Sequence, residues 1–434
     1  MTGTIRAALL AALASAAFGA CGAIDGGEPG QPRDPEPSAS PAAITYWKDV
    51  YPILAARCLQ CHLNGPSSYR PWFDGYEHVA EVAGNIAIAV KSRHMPPWAV
   101  TADGTCGEWD RAHWLADDEI DTLVAWAASD LPEGDPADAA EPAVLPSPAA
   151  LARVDAVLDP GVEYRPALGD RLHRCFRAPL ALPRTAYLTA FQVRPGNRRA
   201  VQRLSIYALD TDEASAGAAA LEQADGEPGY HCFGGPGVPD ARLVGTWTWG
   251  EATFRYPEGT GVRLEPGRDV IVQIHYSASG GSAAPSPDRT RIDLELSDDA
   301  REGRFVPLDV PRLALAPGQL FTAASAMLVT TDPMTVHGIY PLMHSLGHSM
   351  LMVDAESDRC LAEIRHWDLY GHMRYHAYRE PVTLDAGARV WLECGYDTRS
   401  RTDVVHAGEA LEDEACTADL YVTAPLPGDS PEPR

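Results

Sequence analysis

The chain has 434 residues, of which 45% are hydrophobic and 22% are charged, so it has the length and apolar content for several globular domains. Its formal net charge is −25, because 60 Asp and Glu outnumber 35 Lys and Arg, and lysine occurs only at positions 48 and 91. This excess of negative charge repels phosphate backbones, so the composition argues against nucleic-acid binding.

The amino terminus has the features of an export signal. Arg6 precedes an apolar run over residues 7–20, which is shorter than the ~20 apolar residues that span a bilayer. The run ends in Phe18-Gly19-Ala20-Cys21, which resembles the lipobox of bacterial lipoproteins. The resemblance implies that Cys21 is lipidated and that this lipid alone attaches the protein to the membrane, on the periplasmic face or surface of the outer membrane. The alternative is ordinary secretory cleavage at the same small residues.

Composition divides the rest of the chain into folded and unfolded segments. Residues 21–43 are rich in Gly, Pro, Ser and acidic residues and have too little apolar surface to repay folding. A similar stretch interrupts the chain at residues 137–155. We therefore expect a signal peptide (1–20), a disordered tether (21–43), a helical domain (44–136), a linker (137–155), two β domains (156–297 and 298–425) and a tail (426–434).

The sequence Cys58-Leu59-Gln60-Cys61-His62 is a C-x-x-C-H motif, the attachment site of a c-type haem. Cys58 and Cys61 are the predicted thioether-forming residues, and His62 is the predicted axial ligand on one side of the iron. The alternative is a surface disulfide or half of a zinc site, but the chain contains no second C-x-x-C sequence. The motif therefore predicts a covalent haem c as the cofactor.

Two amphipathic helices are predicted around this motif. Before the cysteines, apolar residues recur at helical spacing, at Trp47, Val50, Ile53 and Leu54. A later helix begins with acidic residues in its first turn and continues with an apolar stripe, at Asp117, Asp118, Ile120, Leu123, Val124 and Ala127. We expect a small all-α domain.

Met95 is the predicted second axial ligand, because a thioether stabilises ferrous iron and raises the reduction potential. It stands in Arg93-His94-Met95-Pro96-Pro97-Trp98, where two prolines stiffen the loop. His94 and His78 are the reserve candidates, and the alternative role for Met95 is a gap-filling core residue. The pattern from C-x-x-C-H to M-P-P-W resembles the cytochrome c-like domains fused to larger periplasmic enzymes, which implies electron transfer.

The second part of the chain, residues 156–425, is predicted to form β-sheet. Segments such as 269–276, 291–296 and 388–394 are short, rich in β-branched and aromatic residues, and bounded by Gly and Pro. Their regular spacing predicts two antiparallel, jelly-roll-like sandwiches joined near residue 297. The expected fold is multidomain, a small all-α cytochrome c domain followed by two all-β sandwich domains.

A set of ordered motifs in this β region resembles a known enzyme family. The motifs are His173-Arg-Cys175-Phe176, Pro195-Gly-Asn197, Val272-Gln-Ile-His275-Tyr276, Met343-His344-Ser-Leu-Gly347 and Glu414-Ala-Cys416. They resemble the copper type II, ascorbate-dependent monooxygenases, the group of peptidylglycine α-hydroxylating monooxygenase and dopamine β-monooxygenase, over about residues 156 to 423. The resemblance implies two separated coppers and hydroxylation of unactivated C–H bonds.

The copper-ligand positions that the resemblance implies are mostly changed in this chain. His275 and His344 remain as one imidazole for each site, whereas the other four positions hold Gln202, Arg203, Leu342 and Ala415. Leucine and alanine have no lone pair, and arginine stays protonated and repels a cation. Bound copper is therefore expected to be absent or incomplete, and His275 and His344 to be core histidines. The best reserve set of imidazoles is His366, His372 and His376.

The cysteine count is consistent with an oxidising compartment. With Cys21 assigned to lipid and Cys58 and Cys61 to haem, six of the nine cysteines remain. The family resemblance implies the pairs Cys175–Cys232 and Cys394–Cys416. By elimination, Cys106 and Cys360 bridge the helical domain to the second sandwich, and the alternative is two free thiols.

Two functions from different classes follow from these patterns. The preferred one is an exported haem-c electron-transfer lipoprotein whose monooxygenase-like module is degenerate and serves as a scaffold or binding module. Its electrons come from a redox partner protein or a small-molecule donor. The alternative is an active copper-dependent monooxygenase supplied with electrons by the haem domain. A third and plainer option is a structural surface lipoprotein with a vestigial haem.

Overall fold

The structure is a computed structural model, and it describes residues 43–62, 71–96, 100–110, 114–139, 150–166, 171–198, 200–232, 235–248, 251, 253–277, 286–368, 374–408 and 412–425. The predicted signal peptide, Cys21, nearly all of the tether and the predicted tail lie outside the described residues. So does His372.

The helices begin with a π-helical turn, Tyr46–Val50, which leads directly into the first α-helix. The α-helices are α1 (Tyr51–Arg57), α2 (Leu59–His62), α3 (Tyr76–Glu81), α4 (Ala83–Lys91), α5 (Asp117–Ala127) and α6 (Asp212–Asp225), and a short 3₁₀ turn covers Pro136–Asp138. None of the helices in the described part of the chain is long and apolar enough to cross a bilayer.

The strands, in chain order, are β1 (Ala156–Leu158), β2 (Arg171–Pro179), β3 (Ala186–Arg194), β4 (Val201–Leu209), β5 (Tyr230–His231), β6 (Ala241–Thr248), β7 (Phe254–Arg255), β8 (Thr260–Leu264), β9 (Asp269–Ser277), β10 (Arg291–Ser297), β11 (Arg301–Asp309), β12 (Ala314–Leu315), β13 (Thr322–Val329), β14 (Met334–Leu342), β15 (Gly347–Asp354), β16 (Arg359–Ile364), β17 (His376–Leu384), β18 (Arg389–Tyr396), β19 (Val405–His406) and β20 (Thr417–Thr423). The chain is thus mostly β-sheet, which agrees with the predicted sandwiches.

Helices α1 to α5 surround a core of their own. The π-helical turn and α1 bury Tyr46, Val50 and Leu54 on one side. Helix α5 begins at Asp117 with three acidic residues in its first turn, where they favour the helix dipole. Its buried stripe is Ile120, Leu123 and Trp126, so both predicted helices are present, with Trp126 added to the predicted stripe.

The β region consists of two layered sandwiches. In the first, the five-stranded sheet β5-β2-β9-β4-β6 packs against β1, β10, β3 and β8, around a core that includes Phe191, Leu204 and Ile274. In the second, the four-stranded sheet β13-β18-β15-β16 packs against β11, β20, β14 and β17, around a core that includes Ile339 and Leu392. The facing sheets of each sandwich thus share an apolar interior.

One long sheet runs through both sandwiches. Its strand order is β1-β10-β3-β8-β11-β20-β14-β17, and it passes from the first sandwich to the second where β8 pairs with β11 in parallel. The register there places Arg301 opposite Thr260 and Gly303 opposite Val262. The two halves of the β region therefore share backbone hydrogen bonds as well as a chain connection.

Among the residues that the structure describes, three disulfides are formed. Cys175–Cys232 lies in the first sandwich and Cys394–Cys416 in the second. The third, Cys106–Cys360, joins the segment between α4 and α5 to strand β16. The prediction that this chain uses disulfides is confirmed.

Candidate functional site

The C-x-x-C-H segment is held by the end of α1 and by α2. The backbone N–H of Cys58 donates to Leu54 O at 2.8 Å, and that of His62 donates to Cys58 O at 3.0 Å. Cys58 is half-buried and packs against the helical core. The side chain of Cys61 lies outside the described part of the structure.

The imidazole of His62 has a defined orientation. Its Nδ1 lies 2.7 Å from Pro71 O, and the ring stacks on Phe73 with centroids 4.5 Å apart. A carbonyl oxygen only accepts hydrogen bonds, so Nδ1 carries the proton and donates it. In the neutral ring, Nε2 then keeps its lone pair, which is the form that binds a metal.

Met95 lies in a cleft between α4 and α5. The backbone N–H groups of His94 and Met95 both donate to Ala89 O, at 2.9 and 3.2 Å. The cleft is small and partly open to solvent, and Met95 shares its walls with Val90 and Ile120. Val90 and Ile120 belong to the same hydrophobic core that Cys58 borders, so Cys58 and the cleft of Met95 adjoin one core.

The two reserve ligands have other surroundings. His78 Nδ1 lies 2.7 Å from Asp74 Oδ1, an i,i+4 pair at the start of α3. The His94 side chain is exposed to solvent. Of the three candidates, Met95 is the one that lines the cleft.

In the first sandwich, the predicted copper positions lie on neighbouring strands. Gln202 and Arg203 are on β4, and Arg203 stands opposite His275 of β9. His275 in turn stands opposite His173 of β2, and the two imidazoles stack with centroids 4.5 Å apart and planes 9° apart. Two imidazoles and a guanidinium thus form a row across three strands.

The Arg203 guanidinium contacts this histidine pair. Its Nη2 lies 3.3 Å from Nε2 of His173. Because a guanidinium has only donors, Nε2 of His173 accepts, and its lone pair is used. Burial lowers the pKa of His173 to about 2, with smaller contributions from His275, Arg203 and His344, so His173 is neutral at physiological pH.

In the second sandwich, His344 is held in the turn after β14. Its Nδ1 lies 3.0 Å from Asp413 O, and its backbone N–H donates to Glu414 Oε2 at 2.9 Å. The other carboxyl oxygen of Glu414 accepts from Leu346 N at 2.6 Å. Burial raises the pKa of Glu414 to about 7, although these backbone hydrogen bonds lower it. Glu414 thus fixes the turn that carries His344.

The two histidines that remain at the predicted copper positions, His275 and His344, both lie near the positive charge of Arg203. Burial lowers the pKa of His344, and the Arg203 charge lowers it further. Leu342 ends β14, two residues before His344, and Ala415 lies between Glu414 and Cys416. In the described part of the chain, no group of three or more His, Cys, Asp or Glu side chains is arranged to hold a metal ion.

The reserve histidines have separate neighbours. His366 follows β16, and its ring centroid lies 6.4 Å from that of His348 on β15. His376 is buried at the start of β17, with its ring centroid 6.1 Å from that of Trp109.

The seam between the two sandwiches, where β4 and β6 face β14 and β20, is polar. The Tyr340 side chain of β14 lies near the Thr246 side chain of β6. Burial, and then the charge of Asp309, raises the pKa of Asp419 on β20 to about 7. The seam is therefore packed with hydrogen-bonding groups from both halves.

His173 is the site residue that sequence reasoning missed. The sequence places it in the motif His173-Arg-Cys175-Phe176 but does not identify it as a neighbour of His275. The available signal was its position two residues before Cys175, on a strand that pairs with β9. The pairing register that turns this position into a contact is not visible in a single sequence.

Comparisons with known proteins give limited likenesses. No protein-family model matches the chain. The curated protein "MOXD1 homolog 2" from Drosophila melanogaster, a dopamine β-monooxygenase-like protein, is 23% identical over 225 residues, which are 46% of this chain and 29% of that protein. The chain thus matches under a third of that relative's length.

Solved structures show remote similarity only. The major capsid protein P2 of bacteriophage PM2 is 11% identical, covers 62% of this chain and 97% of its own, and has a TM-score of 0.28. PNGase F, a glycosylasparaginase from Flavobacterium meningosepticum, is 8% identical, covers 62% and 96%, and has a TM-score of 0.29. TM-scores this low establish neither a common fold nor a common function. The supported conclusion is that this β-rich chain contains a region similar to a monooxygenase-like protein.

Proposed function

We propose that this chain is an exported electron-transfer protein with one covalent haem c in its helical region. Cys58 and Cys61 would hold the haem covalently, and His62 and Met95 would ligate its iron. The observation that carries the proposal is the C-x-x-C-H sequence with His62 Nδ1 donating to Pro71 O at 2.7 Å. When bound, such a haem takes up and releases one electron.

The residues around the cleft have distinct tasks in this proposal. Pro71 and Phe73 orient the His62 ring and keep Nε2 in the ligating form. Val90 and Ile120 provide an apolar wall beside Met95. A thioether in apolar surroundings favours ferrous over ferric iron, so the protein sets a raised reduction potential.

The β region serves in this proposal as a scaffold or binding module. The side chains at the family's copper positions do not fit a copper centre, because Leu342 and Ala415 have no lone pair and Arg203 uses the lone pair of His173. A protonated guanidinium beside these imidazoles also repels a cation.

Export and attachment belong to the same proposal. Three disulfides support an oxidising compartment. A lipid on Cys21 provides the only membrane attachment, and the donor or acceptor is a redox partner protein or a small molecule. Cys21→Ser is expected to release the protein from membranes into the soluble fraction.

A second candidate is an active copper-dependent monooxygenase. The observation that favours it is the similarity to MOXD1 homolog 2. Under this candidate, copper is bound by a ligand set other than the family's, and the haem domain supplies electrons.

The test is elemental analysis of the purified mature protein with a reduced-minus-oxidised absorption spectrum. We expect about one iron per chain, a c-type spectrum that survives denaturation, and no copper above background after dialysis. The Cys58→Ala/Cys61→Ala variant loses the covalent haem, whereas the matched Cys175→Ala/Cys232→Ala variant keeps it. A wild-type protein without covalent haem would overturn the proposal. Stoichiometric copper would favour the second candidate.

A further inference from the structure

A segment of the helical region forms part of the second sandwich. Residues 100–110, which we call the strap, lie between α4 and α5. Val100 and Trp109 are 0% and 3% exposed, and both belong to the hydrophobic core of the second sandwich. The helical region therefore contributes side chains to a β core that lies much later in the sequence.

Backbone hydrogen bonds fasten both ends of the strap. At its start, Thr101 N–H donates to Glu363 O at 2.8 Å. At its end, Asp110 N–H donates to Ala377 O at 2.9 Å. The first of these bonds is to β16, an edge strand of its sheet in the described structure, so the strap covers part of an open edge.

Side chains fix the middle of the strap. The Trp109 ring stacks on Tyr378, with centroids 4.4 Å apart. Its Nε1 donates to Thr101 O at 3.1 Å and to Cys106 O at 3.2 Å, so the indole also closes the strap upon itself. The Cys106–Cys360 disulfide then ties this compact turn to β16.

Arg93 holds together the two ends of the connection between α4 and α5, and we call its contacts the clamp. Its Nη1 donates to Leu115 O at 2.9 Å, its guanidinium lies 4.1 Å from the centre of the Trp114 ring, and it pairs with Asp117. Met95 therefore stands between this clamp and the strap, five positions before Val100.

We propose that the strap makes the second sandwich a support for the sixth haem ligand, with Cys106, Trp109 and Cys360 as positioning residues for Met95. The inference rests on the proposed function. A ligand loop with one end in α4 and the other in a separate β core is restrained at both ends. Moving Met95 away from the iron then requires breaking strap contacts, so the strap slows exchange of this ligand.

The experiment measures cyanide binding to the ferric full-length protein, because cyanide enters only after the methionine leaves. In the Cys106→Ser/Cys360→Ser variant we expect binding about tenfold faster than in the wild type, with a weaker methionine-to-iron charge-transfer band. The matched Cys175→Ser/Cys232→Ser variant removes a disulfide from the first sandwich and is expected to keep the wild-type rate. Trp109→Phe keeps the ring stacking but loses both indole hydrogen bonds, and we expect an intermediate rate.

The outcomes separate this inference from the function on which it rests. A methionine-to-iron band with equal cyanide rates in the wild type, the Cys106/Cys360 variant and Trp109→Phe would overturn the inference alone. Equal acceleration in both disulfide variants would also overturn it, since the effect would then be general loosening. A wild-type protein with no covalent haem would overturn the proposed function and this inference together.

Discussion

Arg374 and Glu251 form an ion pair across the two sandwiches, with Arg374 Nη2 2.8 Å from Glu251 Oε1 and both side chains less than a fifth exposed. Glu251 follows β6 of the first sandwich, and Arg374 precedes β17 of the second. Arg374→Met leaves the carboxylate partly buried without this partner, and we expect a loss of about 2 kcal/mol in the free energy of unfolding by urea. The swapped pair Arg374→Glu/Glu251→Arg should recover part of that loss. A single variant as stable as the wild type would show that the pair contributes nothing.

Replacing Met95 tests its assignment as a haem ligand. Met95→His exchanges a thioether for an imidazole, which favours ferric iron, so the reduction potential should fall. A spectroelectrochemical titration measures the change. Met327→Leu, at an exposed methionine on β13, is the control and should leave the potential unchanged. If both variants titrate like the wild type, Met95 is not the ligand.

The carboxyl group of Asp419 predicts a pH-dependent stability. Burial and then Asp309 raise its pKa from 3.8 to about 7. The folded protein therefore binds this proton more tightly than the unfolded chain, so protonation of Asp419 stabilises the fold. This stabilisation is complete below about pH 4 and is lost as the pH rises to about 7. The loss amounts to about 2–4 kcal/mol.

Asp419→Asn removes this titrating group and should reduce the loss of urea-unfolding stability between about pH 4 and 7, leaving the part that comes from Glu414, whose pKa burial also raises to about 7. Asp332→Asn, at an exposed loop position, is the control and should keep the wild-type slope. An unchanged slope in Asp419→Asn would mean that Asp419 does not contribute to the pH dependence of stability.

Gly196 is a position where a methyl group has no room. A Cβ there would lie 2.5 Å from Arg289 N and 3.0 Å from Arg289 O, which are backbone atoms that cannot rotate away. The next residue, Asn197, donates its backbone N–H to the buried Asp288 at 2.8 Å, so a shift would also disturb that bond. We expect Gly196→Ala to cost about 2–3 kcal/mol in urea unfolding.

The comparison variant is Gly84→Ala within α4, where nothing lies within 4 Å of the added Cβ. Alanine favours a helix over glycine, so this variant should gain up to about 1 kcal/mol. Equal effects of both substitutions would show that the Arg289 backbone yields at little cost.

Local sequence patterns predict the helices and strands whose formation depends on neighbouring residues. Helix α5 was predicted from its acidic first turn and apolar stripe, because both features lie within eleven residues of sequence. The sandwiches were predicted from short alternating segments with turn residues between them. These features need no knowledge of distant partners.

Contacts between residues that are distant in sequence cannot be predicted from local patterns. The stack of His173 on His275 depends on strand register, and the insertion of Trp109 beside Tyr378 joins segments far apart in the chain. Helix α6 was also missed, since its alanine-rich sequence lacks a strong apolar stripe and it buries only Ala214 and Ala218. Such features follow from the assembled fold and not from neighbouring residues.

The parallel pairing of β8 with β11 has a mechanical consequence. A clamshell motion of the β region would have to pull these strands apart, and their register spans only three residue pairs, Thr260–Val262 with Arg301–Gly303. On the side of the second sandwich the next ladder is longer, since β11 pairs with β20 over seven positions. Under load, the two halves are therefore expected to part at this short ladder before the β11–β20 ladder separates.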